Sequence, residues 1–437
     1  MSPTWAGIVG LLALFVLLGM RMPVAIVMML IGLAGIAYLN SWDAAMSTLA
    51  DEAWVITSNY EFIVIPLFIL MGNFASISGM SRDLYGAAYS WFGHWRGGLA
   101  SATIAACAGF AALSGSSVAS AVTMGRVALP EMKRYKYSDR LATGAIAAGG
   151  TLGILIPPST GFIIYAILVE ESIGRLFLAG VLPGLLLTVL FMISIAIMTR
   201  INPALGPAGS KSTMKERGQS LAQAGPMLFI VLITIGGIYS GTFTPTEAAA
   251  VGAMLAFLLA LYRRRINRDS TSRVLLQTIR TTCLAFFILI GAHIFNPFMA
   301  LTDIPSDLAN LLIDADLPRT AIMLIIMLAY IVLGTFLEGF AMLVLTLPII
   351  HPLIVELGYD PIWFGVVIVI VIEMGLISPP VGVNVFVVKG IAEDVPLKEI
   401  FAGIIPFWIA MAVCLGILLA FPEIALFLPE TMIQSFD

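Results

Sequence analysis

The chain has 437 residues, of which 60% are hydrophobic and only 11% are charged, and its formal net charge is −4. Soluble domains carry roughly 25% charged residues, so this composition excludes an ordinary soluble protein and indicates a helical protein that crosses a membrane many times. The net charge itself decides little, because orientation follows the placement of Lys and Arg rather than their sum. The apolar stretch at the N-terminus lacks a basic leader, so it predicts a first spanning helix rather than a cleaved signal peptide.

Hydropathy predicts an all-α polytopic membrane protein with about ten to twelve transmembrane helices. The predicted spans are residues 5–20, 22–40, 61–79, 140–169, 176–199, 223–241, 246–262, 274–300, 361–389 and 400–421. The acidic stretch 41–60 carries two tryptophans and predicts a helix at the outer interface. The polar, basic stretch 200–222 is rich in Gly, Pro and Ser and predicts a cytoplasmic linker.

Two further apolar stretches, 98–130 and 319–350, do not fit as single crossings. Each is interrupted near its middle, by "LSGSS" at 113–117 and by "GTFLEG" at 334–339. We therefore predict two re-entrant hairpins, each of which enters and leaves the membrane on the same side.

The distribution of charge supports this layout. With both termini outside, all of the 22 basic residues fall inside except Arg126, Arg175 and Arg319. The outer loops collect acidic residues instead: Asp43, Asp51, Glu52, Glu170, Glu171, Asp303, Asp307, Asp314 and Asp316. This is the positive-inside pattern, and counting either hairpin as a single crossing would destroy it.

The sequence also contains an internal repeat. Pro157 and Pro158 match Pro379 and Pro380 at an offset of 222 residues, and the same offset places Gly153 on Gly375. It also makes the two predicted hairpin tips coincide. The first hairpin opens inside and the second outside, so the halves are inverted, as in secondary transporters that bind substrate at the repeat interface.

The repeat divides the chain into a transport part and a scaffold. The predicted domains are scaffold helices 1–97, the first hairpin and broken helix 98–170, scaffold helices and linker 171–300, the second hairpin and broken helix 319–390, and a C-terminal scaffold helix 391–437.

The interrupted segments carry the candidate binding residues, because a helix that breaks at membrane depth frees carbonyls and amides for ligands. The first group is Ser114, Gly115, Ser116, Ser117, Gly149, Gly150, Thr151, Gly153 and Pro157. The second group is Thr335, Glu338, Gly339, Gly375, Ser378, Pro379, Gly382 and Asn384. Hydroxyls and freed carbonyls suit Na⁺, and half-helix N-termini suit an anion. Close packing of small residues would also enrich Gly and Ser here.

For three charged residues at membrane depth, the sequence leaves more than one role possible. Glu338 is a cation ligand, a proton carrier, or a group that fixes the second hairpin tip through backbone amides. Glu373 is either functional or paired to a neighbouring helix. Arg126 either meets a carboxylate substrate or extends to the interface.

Other chemistry finds no support in the sequence. His94, His293 and His351 are too dispersed for a metal or catalytic cluster, and the three cysteines lack metal-ligand spacing. No nucleophile, zinc or nucleotide motif is present, so we predict neither an enzyme nor an ATP-driven pump, and no nucleic-acid partner.

Four segments together resemble the large membrane subunit of tripartite ATP-independent periplasmic (TRAP) transporters. They are "GFAALSGSSVASAVTMGRVALPEM" (109–132), "GGTLGILIPPS" (149–159), "FTPTEAAAVGA" (243–253) and "GLISPPVGVNVFV" (375–387). The resemblance runs over essentially the whole chain. It implies Na⁺-coupled import of carboxylates, such as C4-dicarboxylates or sialic acid, across a bacterial inner membrane. It also implies an elevator mechanism, a small membrane subunit of about four helices, and a periplasmic binding protein.

By the same resemblance, residues 114–117, 149–151, 335, 339 and 375–380 fall in the regions that hold substrate and Na⁺. Two alternatives stay open at this point. One is a stand-alone Na⁺/organic-anion symporter of the same superfamily, and the other is an intramembrane enzyme or structural scaffold.

Overall fold

The structure is a computed structural model that describes residues 2–20, 22–304, 306–307 and 317–432. All regular secondary structure in these ranges is helical, as the composition predicts. The α-helices are α1 Pro3–Gly19, α2 Val24–Leu39, α3 Trp42–Ser58, α4 Val64–Ile77, α5 Met80–Phe92, α6 Gly98–Ser114, α7 Ser117–Arg134, α8 Asp139–Leu155, α9 Thr160–Val169, α10 Ile173–Ile201, α11 Met214–Tyr239, α12 Pro245–Tyr262, α13 Arg268–Leu301, α14 Arg319–Gly334, α15 Gly339–Glu356, α16 Pro361–Leu376, α17 Val383–Ile391, α18 Leu397–Ala420 and α19 Glu423–Thr431. Asp314 and Asp316, used in the charge argument, lie outside the described residues.

The chain is a multi-pass membrane protein. Seven described helices are long and apolar enough to cross a bilayer, or eight if α8 and α9, which bend by 40° at their break, count as one span. Shorter apolar helices, including α1, α2 and α16, accompany them. Each of the predicted spans coincides with a helix or with a broken pair of helices, and the predicted interfacial segment 41–60 coincides with α3.

Helix α11 begins at Met214, inside the predicted linker 200–222 and nine residues before the predicted span 223–241. Thr213 and Glu216 form a capping box, in which the Glu216 carboxylate accepts from the Thr213 N–H at 2.6 Å. Such reciprocal capping satisfies backbone N–H groups that the start of a helix leaves without partners, so it favours a helix that begins here.

Both predicted hairpins are present. The first consists of α6 and α7, and its tip turns at Gly115, whose φ of +59° favours glycine. Ser116 then caps α7 by accepting from the Ala119 N–H. The second hairpin consists of α14 and α15, and Glu338 caps α15 through the Ala341 N–H. Side-chain caps thus restart each helix immediately after its turn.

The two hairpins open toward opposite ends of the molecule. The base of the first hairpin lies at the basic end, where Lys133 Nζ is 2.5 Å from Asp394 Oδ2 and holds the pKa of Asp394 below its usual value. The pair α8–α9 runs from this end to the other, where the Tyr165 hydroxyl donates to the Pro361 carbonyl at 2.7 Å beside the base of the second hairpin. The structure therefore confirms the inverted arrangement of the halves.

The repeats interlock at the centre of the molecule. Helix α8 packs against both arms of the first hairpin, and α16 packs against both arms of the second. Each second half-helix crosses to the other repeat: α9 packs along α15, and α17 packs along α7. This exchange brings the tips and breaks of both repeats to one region. The predicted division into transport and scaffold domains stays a prediction.

Candidate functional site

The first hairpin tip is hydrogen-bonded to the first helix break. Pro157 and Pro158 lack backbone N–H groups, so α8 ends before them, and Ser159 restarts the chain by capping α9. The Gly115 carbonyl accepts from the Thr160 N–H at 3.3 Å and from the Thr160 hydroxyl at 2.6 Å. The two interruptions predicted in the first repeat therefore form one unit.

The glycines of "GGTLG" do not form the break, which corrects their interpretation from the sequence. Gly149, Gly150 and Gly153 lie within intact α8, which continues to Leu155. A Cβ at Gly153 would lie 2.4 Å from the Ser116 carbonyl oxygen, and one at Gly149 would lie 2.7 Å from Cys107 Sγ. These glycines allow the hairpin to pack directly on α8, which is the small-residue packing that the sequence left open.

Hydroxyl groups cluster at the first tip. Ser114 Oγ lies 2.7 Å from Ser120 Oγ, and Ser117 is buried with 2% of its surface exposed. Thr151 is buried on α8, but its hydroxyl donates to the Ala148 carbonyl of its own helix at 2.6 Å. A hydroxyl that donates its proton to a carbonyl keeps its lone pairs for a further partner.

The second tip is built around a close helix crossing. Gly375 of α16 meets Gly334 of α14, and a Cβ at Gly375 would lie 2.7 Å from the Gly334 Cα. Thr335 donates its hydroxyl to the Val332 carbonyl at 2.8 Å. Glu338 Oε2 accepts from the Ala341 N–H at 3.3 Å, which supports the interpretation that Glu338 fixes the tip through backbone amides.

The second break spans the residues between α16 and α17. The Ser378 hydroxyl donates to the Met374 carbonyl at 2.6 Å and accepts from the Trp408 indole at 3.0 Å. Pro379 and Pro380 follow, and their peptide bond is cis, as is that of Pro157 and Pro158. Gly382 has a φ of +63° and leads into α17.

Glu373 lies between the two repeats. Its side chain is buried, with 1% of the residue exposed, and its Oε2 accepts from Asn384 Nδ2 at 3.2 Å. Ser117 of the first hairpin tip approaches the same carboxyl, and Glu338 is close enough for an electrostatic interaction. Glu373 therefore connects the first tip, the second break and the second tip.

This centre contains oxygens without partners. Glu373 Oε1 and Asn384 Oδ1 are buried and accept no hydrogen bond from any described residue. Among the described residues, no Lys, Arg or His forms an ion pair with Glu373. Unpaired buried oxygens are costly unless something satisfies them. Oxygen atoms in such a set are suitable ligands for a hard cation.

Half-helix N-termini surround the same region. Helices α7 and α9 begin at the first tip and break, and α15 and α17 begin at the second tip and break. The N-terminus of a helix presents unpaired N–H groups and a positive dipole end, which stabilise an anion. The arrangement can therefore hold a cation and an anion close together.

The sequence of the whole chain places it among membrane transporters. The profile of the family described as "Tripartite ATP-independent periplasmic transporter, DctM component" matches residues 11–424. This chain belongs to the large-permease family of TRAP transporters.

Several named large permeases of TRAP transporters are similar to it over nearly their whole length. The C4-dicarboxylate TRAP transporter large permease DctM of Pseudomonas aeruginosa is 38% identical over 90% of this chain and 91% of its own. The sialic acid large permease SiaM of Vibrio cholerae is 32% identical over 94% and 95% of the two chains. The 2,3-diketo-L-gulonate large permease YiaN of Escherichia coli is 31% identical over 92% and 94%.

A solved structure has the same fold. The YdaH transporter of Alcanivorax borkumensis, described as having an unusual topology, superposes with a TM-score of 0.61 at 14% sequence identity. The match covers 87% of this TRAP permease and 89% of that chain. It supports the all-α architecture alone.

Four residues of the site in this TRAP permease were not among the candidate binding residues predicted from the sequence. Ser120 and Thr160 bond to the first tip, Trp408 bonds to Ser378, and Glu373 was left with an open role. Ser120 is four residues after Ser116, and Thr160 directly follows "PPS". Their positions next to the predicted tip and break could therefore have indicated both residues. The sequence around Trp408 does not indicate a role at the break, because Trp408 lies on α18 and contacts Ser378 only in the folded protein.

We expect Asn384→Ala to lower the free energy of unfolding by about 1–3 kcal/mol, because it removes the donor to a buried carboxyl. Adding Glu373→Met should restore part of this loss, because no unpaired carboxyl then remains in the apolar interior. Thermal unfolding of the two single variants and the double variant gives the coupling between them. Additive effects would contradict the contact.

Proposed function

We propose that this TRAP permease is the transport subunit of a Na⁺-coupled importer of organic carboxylates. The family supports the transport of a small anion, and the relatives named above are designated for a C4-dicarboxylate, sialic acid and 2,3-diketo-L-gulonate, all of which carry carboxylates. A small membrane subunit and a periplasmic binding protein that delivers the substrate complete the proposed assembly.

We base the proposal on the meeting of both tips and the second break around Glu373, with the first break bonded to the first tip through Thr160. The unpaired oxygens of Glu373 and Asn384 fit a hard cation such as Na⁺. The hydroxyls of Ser116 and Thr335 have lone pairs available for the same purpose, one at each tip. The half-helix N-termini suit the carboxylate of the substrate.

The proposed mechanism is an elevator, in which the two hairpins and two broken helices move together against the remaining helices. The packing adds α18 to the moving unit, because a Cβ at Gly403 would lie 2.0 Å from the Arg140 carbonyl oxygen of α8. The sequence alone had assigned residues 391–437 to the scaffold. Because the backbones of α8 and α18 are in such close contact, we expect the two helices to move together as one rigid body.

We place the protein in a bacterial inner membrane with its basic end in the cytoplasm. The positive-inside rule supports this orientation, which leaves both termini in the periplasm. The second hairpin then opens toward the periplasm, and the first toward the cytoplasm.

Reconstitution tests the proposal. Proteoliposomes that contain this chain and its small subunit, with substrate-loaded binding protein outside, are expected to accumulate substrate when an inward Na⁺ gradient is imposed. Replacing Na⁺ by K⁺ should abolish accumulation, and so should omission of the binding protein. Na⁺-driven uptake by this chain alone would instead support a stand-alone symporter, and uptake that ignores Na⁺ would refute the coupling.

A further inference from the structure

A cavity of about 380 Å³ opens at the basic end of the molecule, between the loop that precedes α6 and the last turns of α10. Its volume is within the range of about 300–1,000 Å³ that is usual for small-molecule sites. The described residues that line it include none from the hairpin tips or the helix breaks. The cavity is therefore separate from the candidate site.

The two sides of the cavity are held together by close contacts. The Thr199 hydroxyl of α10 donates to the Arg96 carbonyl of the loop at 3.3 Å. A Cβ at Gly97 would lie 2.6 Å from Ile195 Cγ2, and the φ of +72° at Gly97 also favours glycine. The loop thus packs directly on α10, which fixes the side chains on the two sides of the cavity relative to each other.

The cavity has a positive charge on each side. Arg96 lines it from the loop, and Arg200 lines it from the last turn of α10. Both arginines are exposed, and neither forms an ion pair with any residue in the described ranges. The described lining also includes no Asp or Glu. Guanidinium groups match the geometry of phosphate oxygens, so two of them around one cavity suit a phosphate group.

A buried hydroxyl lies in the same lining. Ser101 of α6 has 3% of its surface exposed, and its side chain forms no hydrogen bond with another described residue. Most buried polar groups have a hydrogen-bond partner. The Ser101 hydroxyl is therefore free to donate to an oxygen of a ligand in the cavity.

An apolar face of α10 continues from the cavity toward the middle of the membrane. At about 100° of rotation per residue, Leu185, Val189, Met192, Ala196 and Arg200 fall within about 80° of the helix circumference. Leu185 and Val189 are 54% and 52% exposed. The distance from the first to the fourth of these residues is about 17 Å along the axis, close to the roughly 15 Å of hydrocarbon in one leaflet. The exposed face is therefore long enough for an acyl chain.

Trp95 places the cavity at the depth of the lipid headgroups. It lines the cavity, and 49% of its surface is exposed. Tryptophan is enriched at the boundary between hydrocarbon and water, and the arginines at this end place that boundary on the cytoplasmic side. The phosphate-binding groups and the apolar face thus follow the order of a phospholipid, with its headgroup outward and its chains inward.

We propose that this cavity binds an anionic phospholipid of the cytoplasmic leaflet, with its phosphate between Arg96 and Arg200 and an acyl chain along the exposed face of α10. Basic pockets between transmembrane helices on the cytoplasmic side are typical sites for such headgroups. The proposal uses the membrane orientation given above but does not depend on Na⁺ coupling. A free anion would use the arginines without the apolar face, and a helix of the small subunit would cover the face without needing the arginines.

Lipid binding to the purified protein tests the proposal. The full chain is delipidated in a neutral detergent and titrated with phosphatidylglycerol, phosphatidylcholine or glycerol 1-phosphate, and native mass spectrometry counts the molecules bound. We expect one phosphatidylglycerol to bind more tightly than either other compound. The variant Arg96→Gln/Arg200→Gln should weaken its binding by about 25-fold, because each basic residue near a membrane surface contributes about fivefold.

Two further variants control for charge and for the apolar face. Arg268→Gln/Arg280→Gln removes the same charge from two exposed arginines of α13 outside this cavity, and it should leave the affinity unchanged. Ala196→Phe places a larger side chain at an exposed position of the lining, and it should weaken binding of phosphatidylglycerol without unfolding the protein.

Four results would overturn the proposal. Equal affinity for phosphatidylglycerol and phosphatidylcholine would show that the headgroup charge is not recognised. An equal loss of affinity in the two double arginine variants would show that the cavity is not the site. Equally tight binding of glycerol 1-phosphate would indicate a site for a free anion. Loss of the bound lipid on assembly with the small subunit would indicate that this face of α10 is a protein interface.

Discussion

Replacing Ser116 and Thr335 together by alanine is expected to abolish Na⁺-dependent uptake by the assembled transporter while the protein stays folded. Each change removes one hydroxyl oxygen from one hairpin tip, and a hard cation held by few oxygens loses a large part of its binding energy with two of them. The initial rate of uptake in proteoliposomes, measured against the Na⁺ concentration, checks the prediction.

The stability of the double variant separates a lost ion site from a damaged hairpin. Thr335 donates to a carbonyl of its own helix, and so do Ser90 and Thr188 elsewhere in the chain, at 2.9 and 2.7 Å. The variant Ser90→Ala/Thr188→Ala therefore loses similar hydroxyls far from the tips. It should keep its Na⁺ dependence, with a similar change in thermal stability. Unchanged Na⁺ dependence in the Ser116→Ala/Thr335→Ala variant would refute the assignment.

Gly403→Val is expected to prevent normal folding, with a loss in the free energy of unfolding of more than about 4 kcal/mol. A Cβ at this position would lie 2.0 Å from the Arg140 carbonyl oxygen and 3.3 Å from the Gly144 Cα. These atoms belong to the backbone of α8, so no side chain can rotate away to relieve the overlap.

Gly416→Val is the matched control for this change. Gly416 lies on the same helix, and a Cβ there would meet no described atom within 4 Å. Thermal unfolding and size-exclusion profiles of the purified variants should show a near-normal Gly416→Val protein and an aggregated or absent Gly403→Val protein. Equal thermal stability of the two variants would show that α8 and α18 do not pack as described.

The sequence was sufficient to predict those features that are determined by a few neighbouring residues. Prolines without N–H groups ended α8 and α16 at positions that the repeat had marked, and "LSGSS" and "GTFLEG" marked the hairpin tips. Apolar length and basic loops gave the spans and the opposite opening of the hairpins. In contrast, the start of α11 was predicted at residue 223, nine residues too late, because the polar composition of 200–222 concealed the capping box that begins the helix at Met214.

The role of the glycines of α8 could not be predicted from the sequence, because it depends on how the helices pack. The sequence placed Gly149, Gly150 and Gly153 among the binding residues of an interrupted helix, yet α8 passes through them without interruption. Helix–helix packing overrode propensity here, because each glycine admits an atom of the first hairpin that a side chain would exclude.

By itself the sequence determined a polytopic helical protein with inverted repeats, two hairpins and two breaks. Backbone chemistry and the cost of polar groups in lipid act locally, and they leave a pattern along the chain. The tertiary structure alone decided that Glu373 and Asn384 meet beside the first hairpin, where α17 packs along α7. These contacts depend on how half-helices cross between repeats, and the spacing of residues within one repeat carries no record of that crossing.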